Sequence, residues 1–323
     1  MKRELLRLPS DEDALMLSGI LQLPEGEIRG IVHLVHGMCE HKKRYQHVLD
    51  LLSDNGYAAV IFDLRGHGES IRHPKDLGYF YDDSGVWIIN DIHQVVHCMK
   101  KRFGDLPYII FGHSMGSLAV RCYLRRFDYE VDGAVICGSP SANPLVMPAM
   151  ALCGLLRKIK GEYDRSPLLY RLVLGGYERA FAKEGKSAWL CSRSEVAQAY
   201  EQDPLCGFPF TLNGYQNLFR LLYDTYDSDG WLCRKPSLPL LYIAGREDPC
   251  IRSVHAWKKA IALMRNVGYT NIVQKLYPAA RHELHNEACR EQVLTDLLQW
   301  IDSITMRICD ENCDRSAHAQ LLQ

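Results

Sequence analysis

The sequence predicts an α/β fold: a mostly parallel twisted sheet with helices on both faces, broken once by a helical insertion. Three observations carry this. Short β-branched-rich runs alternate with helix-period segments, the pattern of parallel strands joined by crossover helices. The alternation stops between Pro140 and about Pro236. A serine bracketed by glycines falls where one run ends and one helical segment starts.

The strands are expected near Leu15–Leu21, Ile31–Val35, Ala58–Phe62, Tyr108–Phe111, Ala134–Cys137, Leu240–Ile243 and Ile272–Leu276, each ended by Gly, Asp or Pro. Between most of them, Tyr45–Ser53, Ser84–Arg102, Ser117–Phe127, Val254–Arg265 and Glu287–Ile304 place apolar residues three and four apart, the spacing of one helix face. Residues 140–236 show no convincing strand and read as several short helices with loops. An insertion between two strands is expected over one end of the sheet, as a cap. The sheet domain then comprises residues 1–139 and 237–323.

Composition bounds the rest. The chain has 323 residues, 47% hydrophobic and 24% charged, ordinary for a globular protein with a sizeable core. The formal net charge is -1, with no basic stripe of the kind a nucleic-acid partner requires. The start, Met1 to Arg7, has no apolar stretch after its charges and does not read as a signal peptide. The longest apolar run, Leu145 to Leu156, contains Pro148 and Gly154 and is too short for a membrane span. Twelve cysteines form no CxxC pair, and with no signal peptide read at the start they are expected as reduced, mostly core thiols in a cytoplasmic protein. No Cys/His spacing resembles a zinc site; Cys309 and Cys313 offer two thiols to a metal, but nothing nearby completes a site.

Gly112-His113-Ser114-Met115-Gly116 matches G-x-S-x-G between a strand and a helix. Such a turn is too tight for side chains at the glycines, and it lifts the serine oxygen to the carboxyl edge of the sheet. A serine hydroxyl needs a neighbouring base. Among thirteen histidines, four sit in informative places: His36, His67, His113 and His282. His113 should point away from Ser114. His282 follows the last strand, on a loop over the same sheet edge, and is the expected base. His285, its near competitor, should lie just inside the next helix. The acid that orients the base should come from a strand end between serine and histidine. Asp248, after Leu240–Ile243 and before Pro249, fits; Glu247 is the runner-up. Two backbone donors must hold the developing oxyanion. Met115 N–H is one. Met38 N–H, in His36-Gly37-Met38-Cys39-Glu40-His41, is the other, with Glu40 and His41 holding that loop by hydrogen bonds.

Together with Phe62-Asp63-Leu64-Arg65-Gly66-His67-Gly68-Glu69-Ser70, Gly245-Arg246-Glu247-Asp248-Pro249 and Ala280-Arg281-His282-Glu283, these motifs resemble the α/β-hydrolases of the lysophospholipase and monoacylglycerol lipase type, a branch also labelled serine aminopeptidase-like. The resemblance covers the core up to Pro140 and again after Pro236. It implies a triad of Ser114, Asp248 and His282, an oxyanion N–H at Met38, and no metal or organic cofactor. Monoacylglycerol lipases usually carry a small residue where Met38 stands, so Met38 is expected to narrow the pocket. The substrate class implied is a lipid-like ester with one acyl chain, with thioesters, amides and small peptides as alternatives on the same triad and a non-catalytic receptor as the remaining one. The apolar run Leu145–Leu156 is expected to line an acyl pocket or to dip into a lipid surface, with Arg157, Lys158 and Lys160 facing headgroups.

Overall fold

A computed structural model of the chain describes residues 1–321, with side chains described through residue 308. Cys309 and Cys313, weighed above as a metal pair, lie outside the described side chains. Eight strands form one sheet: β1 (Lys2–Pro9), β2 (Met16–Leu23), β3 (Gly30–Val35), β4 (Tyr57–Phe62), β5 (Tyr108–His113), β6 (Gly133–Cys137), β7 (Leu240–Gly245) and β8 (Ile272–Tyr277). Their order is β1-β2-β4-β3-β5-β6-β7-β8. β1 and β2 pair antiparallel, as do β2 and β4, and every later pairing is parallel.

The central strands are near-continuous apolar runs because both faces are covered. Alternate residues serve opposite layers. Ile31, Val35, Ala58 and Val60 pack with Ile92 and Val95 of α2 (Trp87–Phe103) and Leu118 of α3 (Met115–Phe127). Val32, Leu34, Ala59 and Ile61 pack with Leu49 and Leu52 of α1 (Gln46–Asp54) and with Val293, Leu297 and Ile301 at the start of the C-terminal helix (Arg290–Leu321).

β1 was not expected from the sequence. It alternates exposed and half-buried residues and carries Lys2, Arg3, Glu4 and Arg7, so it has no apolar run to notice. It exists because all eight of its residues pair with β2 at the sheet edge. Two helix starts also move. The segment before α2 is held by Asp82, which accepts from Ser84, Val86 and Trp87 N–H, so the helix opens at Trp87 rather than Ser84. Before the C-terminal helix, Glu287 is occupied accepting Arg281 N–H and Ser192 N–H, and Leu284–Asn286 forms a separate 3-10 turn. His285 therefore lies in that turn and not inside the helix.

Between β6 and β7 the chain forms five helices: α4 (Val146–Lys160), α5 (Pro167–Val173), α6 (Gly175–Ala180), α7 (Ser194–Gln202) and α8 (Leu212–Tyr226). α8 carries the buried apolar residues that anchor this insertion, among them Leu212, Tyr215 and Leu221. α9 (Val254–Asn266) and the C-terminal helix α10 complete the fold. Among the described residues no helix is long and apolar enough to cross a membrane.

Candidate active site

Ser114 ends β5 and opens α3 with φ of 53°, a left-handed conformation that a serine adopts only when its surroundings impose it. The two glycines explain how. A Cβ at Gly116 would sit 2.2 Å from the Val35 carbonyl oxygen, and one at Gly112 would sit 2.7 Å from the Gly116 carbonyl oxygen. Ser114 N–H is fixed by the Cys137 carbonyl at 2.9 Å.

The loop after β8 brings His282 Nε2 to 2.8 Å from Ser114 Oγ. Its Nδ1 lies 2.9 Å from Asp248 Oδ2, on the turn after β7. Asp248 is itself aimed: its Oδ1 accepts Cys250 N–H at 2.8 Å. Burial opposes protonation of His282, but the Asp248 carboxylate outweighs it, so the imidazole is held above its ordinary value. With Asp248 accepting at Nδ1, Nε2 is the free base facing the serine. Trp189 from the insertion lies tilted over the His282 ring, 5.2 Å between centroids.

The competing residues lie elsewhere. Glu247 is exposed. His285 stacks on Tyr45 at 4.6 Å, and burial, then His113, push its ring well below the ordinary histidine range. His113 turns Nδ1 to Tyr45 and Glu40 and Nε2 to the His282 carbonyl. His67 is packed among Phe80, Phe208 and Phe210, and burial lowers it to about 3.

Met38 and Met115 both line the cavity above Ser114. Met115 is the first residue of α3, where the N–H has no partner within the helix. The Met38 loop is held from both sides. Leu64 N–H donates to His36 Nε2, so His36 must carry its proton on Nδ1, which donates to the Gly37 carbonyl at 2.8 Å. Gly37 N–H donates to Glu40 at 2.6 Å, Tyr45 and Arg44 hold Glu40 in turn, and His41 bonds Asp203 of the insertion at 2.8 Å.

The cavity measures about 490 Å³. Val146, Ala149 and Leu152 of α4 and Leu218, Phe219 and Leu222 of α8 supply an apolar wall. Glu40, Tyr200 and Glu283 supply a polar one. Arg44 grips Glu283 with two bonds of 2.6 and 2.7 Å. Neither this pair nor Trp189 was singled out from the sequence. Glu283 follows His282 directly, but nothing in that adjacency points to Arg44, 239 residues earlier. Among the described residues two clusters offer metal donors within 4.8 Å of one another, Asp248/Cys250/His282 and His41/Asp203/Cys206, and in each the histidine and aspartate already bond each other.

Residues 26–289 match the family model described as serine aminopeptidase, S33. The chain belongs to that family, within the lipase-like α/β-hydrolases. With the family comes the enzyme class, a carboxylic ester hydrolase. Its relatives include a monoacylglycerol lipase of Mycolicibacterium smegmatis, 30% identical over 87% of this chain and 90% of that protein. A phospholipase of Bacillus subtilis is 23% identical over 81% and 91%. A solved carboxyl esterase of Bacillus coagulans, in complex with glycerol, superposes with a TM-score of 0.86 at 23% identity, covering 94% of this chain and 99% of its own. At that identity the likeness is one of fold.

Proposed function

We propose that this family member is a serine esterase that cleaves lipid-like esters with a single acyl chain, a monoacylglycerol or a lysophospholipid. The observation that carries the reading is one hydrogen-bonded line, Ser114 to His282 to Asp248, at the floor of a cavity with an apolar wall. Ser114 Oγ attacks the ester carbonyl as His282 Nε2 takes its proton. Met38 and Met115 N–H hold the oxyanion, which is where preorganised donors act most strongly. His282 returns the proton to the departing alcohol, and water activated by the same base releases the acid. These steps call on no metal or cofactor. The two relatives' names, a monoacylglycerol lipase and a phospholipase, share a lipid ester substrate and differ in its headgroup, so they support lipid ester hydrolysis more closely than any one headgroup.

The insertion acts as a cap over residues 1–139 and 237–323. Within it α4 divides its faces. Val146, Ala149 and Leu152 look into the cavity, while Met147, Leu155 and Ile159 are exposed, Ile159 by 70%. The exposed face, beside Lys158 and Lys160, suits peripheral contact with a lipid surface. Arg157 does not belong to that patch, because it pairs with Asp83 at 2.6 Å and Glu162 at 3.3 Å.

A hydrolysis panel tests the reading: monoacylglycerols, lysophospholipids, short p-nitrophenyl esters and aminoacyl amides, on wild type and Ser114→Ala. Medium- and long-chain monoacyl esters should lead in kcat/KM, and Ser114→Ala should abolish every activity. A clear preference for acetyl esters or aminoacyl amides would overturn the substrate class.

A further inference from the structure

Two hydrogen bonds bracket the base. Arg281 Nη1 donates to the Ala188 carbonyl at 2.7 Å, and Glu283 N–H donates to the Leu190 carbonyl at 2.7 Å. The residues on either side of His282 are thus tied to the residues on either side of Trp189. Ring is set against ring, 5.2 Å between centroids with the planes 38° apart. Both bonds join the loop after β8 to the stretch between α6 and α7. That stretch is anchored along its length. The Arg281 guanidinium carbon lies 3.9 Å from the centroid of the Phe181 ring, and Arg281 pairs with Glu184 at 2.6 Å. Glu287 accepts Arg281 N–H and Ser192 N–H, each at 2.8 Å. Tyr177 of α6 packs beside the Trp189 ring, 5.3 Å between centroids.

Trp189 also lines the cavity, so a plain wall for the acyl chain is the competing role. The clamp gives the ring a different one. His282 becomes a cation when it takes the proton of Ser114 and again when it takes that of the attacking water, so both halves of the reaction pass through an imidazolium. A cation within about 6 Å of an indole ring is attracted by the ring quadrupole, most strongly where water is excluded. Trp189 and His282 are both buried. The other groups facing the imidazole are Asp248 at Nδ1, Cys250 with its sulfur 3.8 Å from Nε2, the His113 ring at 4.8 Å between centroids, and the Glu283 and Glu40 carboxyls. All five lie outside the insertion.

We propose that Trp189 is a positioning residue for the reaction: the Ala188 and Leu190 carbonyls hold its ring against His282, where it fixes the imidazole and stabilises the imidazolium formed in each step. This rests on the esterase reading above and adds to it a residue from outside the triad. Trp189 thereby belongs by position to the sheet side of the cavity, although the insertion carries it. The wall from α4 and α8 faces the acyl chain. The two roles predict different kinetics. Loss of a wall contact raises KM in proportion to chain length. Loss of the ring at the base lowers kcat for every ester alike and makes the imidazole easier to deprotonate.

The test measures pH profiles of Trp189→Leu and Trp189→Phe on p-nitrophenyl acetate, butyrate and octanoate. Trp189→Leu keeps an apolar side chain and removes the aromatic ring. Its kcat should fall by about three- to tenfold on all three esters, and the inflection of kcat/KM should move about half a pH unit lower. Trp189→Phe should recover most of both. A wild-type kcat with a KM effect graded by chain length would overturn the proposal, as would an unmoved inflection or a Trp189→Phe no better than Trp189→Leu. If the variants do not fold, tryptophan emission of the wild type decides, since it needs no turnover. On acidification from about pH 8 to about pH 5, emission should drop in a step as the imidazolium forms against Trp189, and the step should be missing from His282→Ala. No step in wild type, or the same step in His282→Ala, would overturn the contact. Wild type inert on all three esters would instead sink the esterase reading itself.

Discussion

The sheet half and the insertion half of the cavity are built by opposite means. The sheet half is rigid and polar: Ser114 in a left-handed conformation, His282 gripped by Asp248, and a loop locked by His36, Glu40 and Arg44. The insertion half contributes the apolar wall of α4 and α8, with Met147, Leu155 and Ile159 of α4 and Leu168 and Leu172 of α5 exposed to solvent. Charge is concentrated where atoms must be placed to a fraction of an ångström, and apolar surface where a flexible chain must be accommodated. In this account the sheet half sets the reaction and the insertion half sets which esters undergo it. A substitution in the first should change kcat for every substrate, and one in the second should change KM by chain length.

The largest effect expected is at the base. His282→Ala should cost roughly 10⁴–10⁶ in kcat for all esters, while His285→Ala, away from Ser114, should be mild. Asp248→Asn should lose less than His282→Ala, and its pH profile gives the sharper reading. The base works only when neutral, so kcat/KM should rise with pH through the His282 pKa, which Asp248 holds above 6.5. Without that carboxylate burial dominates, so the inflection should move to lower pH. An inflection that stays in place would mean another group controls the rise.

The stability of the sheet half breaks next. Arg44→Met leaves Glu40 and Glu283 buried without their cation and should destabilise the fold by about 3–5 kcal/mol, read by urea unfolding. No comparable loss is expected from an exposed α4 residue such as Ile159.

In the insertion half, Leu152→Asp places a charge on the acyl wall. It should raise KM for octanoyl and longer esters far more than for acetyl esters, since each buried CH₂ contributes up to about 0.8 kcal/mol. Equal effects at all chain lengths would show that α4 does not line the acyl path. The smallest effect belongs to the outer face. Co-sedimentation with anionic vesicles should fall with salt and with Lys158→Ala/Lys160→Ala, and absence of vesicle binding would confine α4 to lining the pocket.

The same contrast describes how much was legible in the sequence. The parallel sheet and the elbow could be read because close backbone approach demands glycine at Gly112 and Gly116, and burial on both faces demands unbroken apolar strands. Asp248 and His282 could be placed because each follows a strand that ends at the same edge. Edge strand β1 could not, because its stability lies in pairing rather than in its side chains. The Arg44–Glu283 pair and the ring of Trp189 over His282 could not either, since both join segments far apart in the chain. α4 was expected either to line the pocket or to face outward. It does both, as a helix with apolar residues all round must when one side meets a cavity and the other meets solvent.

The division between a reacting half and a selecting half stands on Ser114 as nucleophile. Labelling with a fluorophosphonate, followed by peptide mass spectrometry, tests it most directly. Wild type should carry one adduct on the Ser114 peptide, His282→Ala should label far more slowly, and Ser114→Ala should carry none. No adduct on folded wild type, or an adduct retained in Ser114→Ala, would contradict the account.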